Sequence, residues 1–142
     1  MGTHALGGIV TAQTVVAAVT TAQTAINTVL ASISVPNKAT ILDVILTVTD
    51  MDTGTPIMTV DVGDASGPAT PDDDRFIAAF AASAAGSIRA SDSAGLLEAP
   101  YTYRNLAGTD TAQTEQVIQC TVKTAPTTAA AGTVTMTVVY FA

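Results

Sequence analysis

The sequence predicts an all-β protein: a single antiparallel β-sandwich or jelly-roll-like domain. In several segments, apolar and polar residues alternate at every second position, which is typical of strands with one buried face. Turn-forming stretches rich in Gly, Pro, Asp and Asn separate these segments, as in antiparallel sandwiches built from short strands. The turn stretches lie at 35–38, 50–56, 63–68 and 125–132.

Five segments carry the alternation. Threonine occupies many of the outward positions, and its β-branched side chain suits a pleated surface. The expected inward-facing residues are Val29, Ala31, Ile33 and Val35, then Leu42, Val44, Leu46 and Val48, then Met58, Val60 and Val62, then Ile118, Cys120 and Val122, and finally Val134, Met136, Val138 and Tyr140. These residues would form the core of the domain.

The stretch RFIAAFAASAAG, residues 75–86, breaks the alternation. Phe76, Ile77 and Phe80 have a spacing that suits a helix, and alanine is the strongest helix former. A buried apolar strand is the alternative for the same residues. We predict one short helix near 74–85.

The first 35 residues differ in sequence pattern from the rest of the chain. The tetrapeptide TAQT occurs at 11–14, at 21–24 and again at 111–114, but chance is the simpler explanation in a chain with 26 Ala and 25 Thr. We divide the chain into an N-terminal arm or peripheral strand at 1–24 and a β-sandwich domain at 25–142. Residues 1–14 would take their order from a partner.

The composition favours a component of an assembly. Charged residues make up 12% of the chain, against about 25% in an average soluble domain. With few charges to cover it, the surface stays unusually neutral and suits packing against other subunits. The net charge of −7 argues against direct nucleic-acid binding, which needs a basic surface.

Residues able to perform catalysis are scarce, and we predict neither enzyme activity nor a cofactor. A nucleophile needs a base within reach, but the single histidine, His4, lies near the N-terminus. The single cysteine, Cys120, shares a strand face with apolar neighbours, which predicts a buried, inert thiol. No basic segment precedes an apolar run, and no run is long enough to span a membrane. We therefore expect synthesis in the cytoplasm, with no membrane anchor.

The acidic run PDDDR contains weak candidates for a metal site, Asp72, Asp73 and Asp74. An EF-hand-type calcium loop needs carboxylates at alternate positions and a distant bidentate Glu, which this run lacks. Adjacent residues of an extended loop point in different directions, although Asp61 or Asp64 could supplement them. We favour a solvated loop in which Asp72 or Asp73 caps the predicted helix.

Tyr101 and Tyr103, in APYTYRN, fall on one strand face if this segment is extended. Two aromatic rings could form a small platform for a carbohydrate. A role in the core or at an interface is the interpretation that we favour.

The middle and the end of the chain resemble the head decoration, or cement, proteins of tailed bacteriophages. The resemblance rests on TVDVGD followed by PDDDRFIAA, on a late Tyr and on the terminal AGTVTMTVVY, and it covers roughly residues 38–142. It implies a non-enzymatic virion protein that binds the outside of the major capsid protein lattice, often as a homotrimer. Contact residues in the N-terminal segment would be Ile9, Val15, Val16 and Val19.

Two alternatives stay open at this point. One is a tail, neck or fibre component of a virion. The other is a calcium- or carbohydrate-binding module of a surface protein, which would ordinarily carry an export signal.

Overall fold

The computed structural model describes residues 8–36, 39–66, 72–92, 101–102 and 115–142. Two antiparallel sheets pack face to face, as the sequence predicts. The strands are β1 (Val10–Val19), β2 (Val29–Pro36), β3 (Thr40–Val48), β4 (Thr59–Ser66), β5 (Ile77–Ala81), β6 (Gly86–Arg89), β7 (Tyr101–Thr102), β8 (Glu115–Thr124) and β9 (Gly132–Phe141). Within these ranges, no helix has the length and apolar character that crossing a membrane would require.

The strand order is that of a jelly roll. Sheet A has the order β1-β9-β3-β6, with β7 also paired to β3, and sheet B has the order β2-β8-β4-β5. Four antiparallel pairs are nested along the chain: β1 with β9, β2 with β8, β3 with β6, and β4 with β5. This ribbon of nested pairs, wrapped into two sheets, is the double-sheet architecture of viral capsid and lectin domains.

The predicted core is confirmed for most of its residues, with two shifts of register. Leu42 is 40% exposed, and Ile41 is buried in its place, because the chain bulges between Ile41 and Asp43. Val29 is likewise exposed beside a bulge in β2, and Leu30 is buried. A β-bulge adds one residue to a strand and so moves the alternation by one position.

The predicted helix near 74–85 is wrong. This segment contains β5, which pairs with β4, and Gly86 begins β6, which pairs with β3. Pairing satisfies the backbone groups of β4 that would otherwise lie at a sheet edge, and it buries Ile77 completely. These gains outweigh the helix propensity of alanine, which is worth less than about 1 kcal/mol per residue.

The strand β1 forms one edge of sheet A. Every residue of β1 has a partner in β9, from Val10 opposite Phe141 to Val19 opposite Gly132. Its inward side packs on the core, where Val19 is only 2% exposed. Residues 1–7 lie outside the described ranges, so a role of 1–24 as an arm toward a partner stays a prediction.

Candidate interaction surface and the acidic loop

The outer face of sheet A carries the candidate interaction surface. Side chains at alternate positions of β1 and β9 point away from the core, and the pairing sets them opposite one another in five rows. We call these residues the A-face: Val10, Ala12, Thr14, Val16, Ala18, Thr133, Thr135, Thr137, Val139 and Phe141. None of the ten is charged, in a chain whose net charge is −7.

Large apolar side chains are exposed on this side of the molecule. Val10 is 60% exposed, Val16 66% and Phe141 41%. Ile9 continues the strand, and Leu42 lies in the bulge of β3 that faces β9. Among the described residues, five of the eight exposed large apolar side chains are therefore on the A-face or beside it. Exposed apolar patches of this kind mark protein–protein contacts.

The ring of Phe141 lies directly on the backbone of Gly8. A Cβ atom built on Gly8 would be 1.8 Å from Cζ of Phe141, so a larger residue at position 8 would displace the ring. Glycine at this position thus allows the ring to close one end of the A-face.

The free edge of β1 lacks the usual protection of an edge strand. Natural edge strands carry charged residues, prolines or bulges that prevent pairing with another chain. The strand β1 reads VTAQTVVAAV, with no charge and no proline, and its register with β9 shows no bulge. In the part of the chain that the structure describes, its second edge has no strand partner.

On the other side of the sandwich, residues 72–76, the acidic loop, fold over β4. The backbone N–H of Asp64 donates to the carbonyl of Asp72 at 2.8 Å, and that of Phe76 donates to the carbonyl of Val62 at 2.9 Å. A Cβ on Gly63 would lie 2.1 Å from the Asp72 carbonyl oxygen. Glycine at position 63 therefore permits the close approach of the loop.

A buried ion pair ties this loop to β4. Arg75 Nε donates to Asp64 Oδ2 at 2.6 Å, and the Asp64 side chain is fully buried. Burial raises the pKa of the Asp64 carboxyl, while hydrogen bonds from the Asp72 backbone and from Arg75 oppose that rise.

The three consecutive aspartates are brought together, contrary to the expectation that they point apart. Carboxylate oxygens of Asp72, Asp73 and Asp74 lie within 4.8 Å of one another. Asp73 forms an ion pair with Lys123, and Arg75 lies 3.9 Å from Asp72. Because no helix follows, the predicted capping role is wrong. The three aspartates stay weak candidates for a metal site, as the sequence indicated.

Asp72 and Asp74 share a hydrogen bond between their side chains. This bond, together with burial and the neighbouring Asp72 charge, raises the pKa of Asp74 to about 6. The same bond lowers the pKa of Asp72. The pair can therefore hold one proton in mildly acidic solution.

Asp61 completes the acidic side, and sequence reasoning gave it no structural role. Its Oδ1 accepts a 2.6 Å hydrogen bond from the backbone of Ala79, which has a left-handed φ of 49°. Lys123 Nζ lies 3.8 Å from Asp61 Oδ2. Burial raises the pKa of the Asp61 carboxyl. The signal in the sequence that could have indicated this role is an acidic residue within a strand of alternating apolar residues.

Known structures share this fold. No protein-family model and no curated protein matches the sequence. A chain in the capsid of Ralstonia phage GP4 superposes with a TM-score of 0.70 at 24% identity, covering 99% of this chain and 88% of that one. A chain of the cyanophage Pam1 capsid asymmetric unit gives a TM-score of 0.60 at 24% identity, covering 99% and 90%. The chain has a fold found in two phage capsids.

The predicted contact residues fall into different environments on this fold. Val16 is exposed on the A-face, Ile9 is exposed just before β1, Val15 is partly buried against the core, and Val19 belongs to the core. Sequence reasoning missed Val10 and Phe141, although the Ala/Thr/Val alternation of β1 and β9 could have indicated them.

The remaining candidates give less information. The backbone of Tyr101 pairs with Ile41 in β7, while Tyr103 and His4 lie outside the described residues. Cys120 is fully buried, and this burial raises the pKa of its thiol to about 12.

Proposed function

We propose that this protein is a non-enzymatic structural component of a phage virion. More specifically, it is a decoration, or cement, protein that binds the outside of the major capsid protein lattice as a homo-oligomer, with a trimer favoured. The shared fold with chains of two phage capsids supports the virion role. The observation that carries its role in an assembly is the uncharged, apolar A-face with its unprotected edge strand, which suits a subunit that packs against other subunits.

A decoration protein stabilises a shell by binding linkage. A ligand that binds the assembled lattice and not its dispersed subunits shifts the equilibrium toward the lattice. An oligomer adds avidity, because the second and third contacts form at a high effective concentration. This mechanism needs surfaces and a stable scaffold, and it needs no reactive side chain.

The state of the chemically active residues supports the non-enzymatic part of the proposal. The Cys120 thiol is buried and its pKa is raised to about 12, so thiolate is scarce at neutral pH. The acids Asp61, Asp64 and Asp73 hydrogen-bond or pair with other groups of the chain. These carboxylates therefore have structural roles in the fold.

Quantitative mass spectrometry of purified virus particles from the source tests the proposal first. A decoration role predicts an abundance comparable to that of the major shell protein. Scarcity in a complete particle would instead indicate a tail, neck or fibre component. Absence from the particle would refute the virion role.

Binding to isolated shells tests the exterior location. Purified protein added to shells that lack it should bind saturably and raise the temperature at which the shells dissociate. The matched control is the dispersed major shell protein, which should not bind. Equal binding to dispersed subunits would contradict the linkage mechanism.

A further inference from the structure

We propose that the A-face and the free edge of β1 form the contact between copies of this chain. This inference rests on the homo-oligomer included in the proposed function, but not on binding to a shell. It assigns that oligomer to one side of the jelly roll.

The distribution of charge identifies a second copy as the partner that fits. The A-face has no charged residue, so another copy can pack on it without removing a charge of the A-face from water, a step that is costly for unpaired ions. The acidic loop and Asp61 lie on the outer side of sheet B. Copies that meet through sheet A therefore keep these like charges apart, in a chain with a net charge of −7.

The polar atoms at the centre of the A-face can be buried at low cost. The hydroxyl oxygens of Thr14 and Thr137 lie 2.8 Å apart and form a hydrogen bond across the two strands. A hydroxyl that already has a partner loses little on leaving water, whereas an unpaired one costs roughly 1–3 kcal/mol. The centre of this surface is thus suited to a dry contact.

The size of the surface suits an interface between subunits. Ten residues of strand extend about 34 Å, and the two strands of the A-face, β1 and β9, are together about 10 Å wide. The resulting footprint of roughly 340 Å² is about two fifths of the ~800 Å² that each partner buries in a typical specific complex, and pairing along the edge of β1 would add to it. Ile9 and Leu42 extend it at its border.

The edge of β1 adds a directional component. Its backbone N–H and C=O groups on the side away from β9 can pair with an extended segment of a second copy. Such pairing orients the copies, while the A-face supplies the buried apolar area.

Oligomeric state in solution tests this inference, measured by sedimentation velocity and light scattering on the full chain over a range of concentrations. The wild type should be oligomeric. Val16→Lys should raise the dissociation constant at least about tenfold, because a lysine in an apolar contact must be desolvated. Circular dichroism and thermal melting should show an unchanged fold, since Val16 is 66% exposed.

Two matched variants control for the loss of an exposed apolar side chain. Ile26 and Ile57 are 58% and 45% exposed and lie outside sheet A, so Ile26→Lys and Ile57→Lys should keep the oligomer. A monomeric wild type would overturn the inference. So would an oligomer that Val16→Lys leaves intact.

The shell-binding assay separates this inference from the proposed function. A wild type that oligomerises through the A-face but does not bind shells would refute the decoration role and leave the contact between copies standing. A monomer that binds shells would refute the contact between copies and leave the decoration role standing.

Discussion

The Arg75 guanidinium donates from Nε to the Asp64 carboxylate at 2.6 Å, within a pair whose side chains are 10% and 0% exposed. Asp64 is in β4, and Arg75 lies just before β5. The pair therefore joins the two strands at the point where the acidic loop returns to the sheet. Two residues that are eleven positions apart fix how this segment enters sheet B.

Replacing Arg75 by methionine should destabilise the fold strongly. The substitution would leave the Asp64 carboxylate buried without its cation, which costs about 3–5 kcal/mol. The loss should diminish as the pH falls, because Asp64 can then take up a proton. Urea denaturation at pH 7 and at pH 4.5 measures both effects.

The matched control for Arg75 is Arg89→Met. Arg89 lies 3.4 Å from Asp43 and is 57% exposed, and exposed pairs contribute about 0–1 kcal/mol. Equal losses in the two variants would contradict the structural role of the Asp64–Arg75 pair.

Gly63→Ala should also destabilise the protein, by about 1–3 kcal/mol as in other overpacked sites. The new methyl group would lie 2.1 Å from the Asp72 carbonyl oxygen and 2.3 Å from the Asp73 carbonyl carbon. Both are backbone atoms, so the whole loop must move. Thermal unfolding measures the loss.

Gly86→Ala serves as the comparison for Gly63. The closest atom to a Cβ at position 86 is Cζ of Phe80, at 3.4 Å, an ordinary contact. We expect a change within about 0.5 kcal/mol, because a substitution away from a strained or crowded position has little effect. A larger loss at Gly86 than at Gly63 would mean that the loop does not lie on β4.

Asp74→Asn should alter how stability depends on pH. The pKa of Asp74 is about 6 in the folded protein, against an ordinary value of 3.8. Between these values the folded state holds a proton that the unfolded state has released, so stability falls as the pH rises through this window. The variant lacks this loss of stability. The Tm of the variant minus the Tm of the wild type should therefore increase from pH 4 to pH 7.

The increase in Tm of Asp74→Asn relative to the wild type should be small, since solvent screens a partly exposed pair. Asp92→Asn, which removes the same formal charge at an exposed position of a 3₁₀ turn, is the matched control. Parallel Tm curves for wild type and Asp74→Asn would refute the shared proton.

Cys120 should be unreactive toward a thiol reagent at pH 8 until the protein unfolds. The side chain is fully buried, and the pKa of its thiol is about 12, so both access and thiolate are lacking. Labelling in 6 M guanidinium chloride provides the reference rate. Rapid labelling of the native protein would show that β8 opens readily.

The sequence allowed the strands to be predicted where the alternation is local and unbroken. β9 is such a case, because Val134, Met136, Val138 and Tyr140 are all buried. The register was wrong at Leu42 and Val29, since a bulge depends on the partner strand. The same holds for β5, where the alanine-rich stretch favours helix by itself and becomes a strand only because β4 offers an edge.

The candidate surface was predicted only in part. Val16 was identified as a contact residue because the N-terminal segment is apolar. Phe141 was missed, since its nearness to Val10 follows from the pairing of the first strand with the last. Contacts between the two ends of a chain are set by topology, and a sequence pattern read within one segment contains no information about them.

The nested pairing of the strands has a consequence for the order of folding. The β4–β5 pair joins neighbouring segments, whereas β1 and β9 bring together residues such as Gln13 and Tyr140, which are 127 positions apart. The entropy cost of closing a loop grows with its length, and folds dominated by distant contacts form in milliseconds to seconds. We expect the ribbon to close from β4–β5 toward β1–β9.

Pulsed hydrogen exchange during refolding should then protect amides of β4 before those of β1, and simultaneous protection would contradict this order. The surface by which copies would recognise one another includes both terminal strands. It would thus be completed last, so that association begins only when the rest of the sandwich has formed.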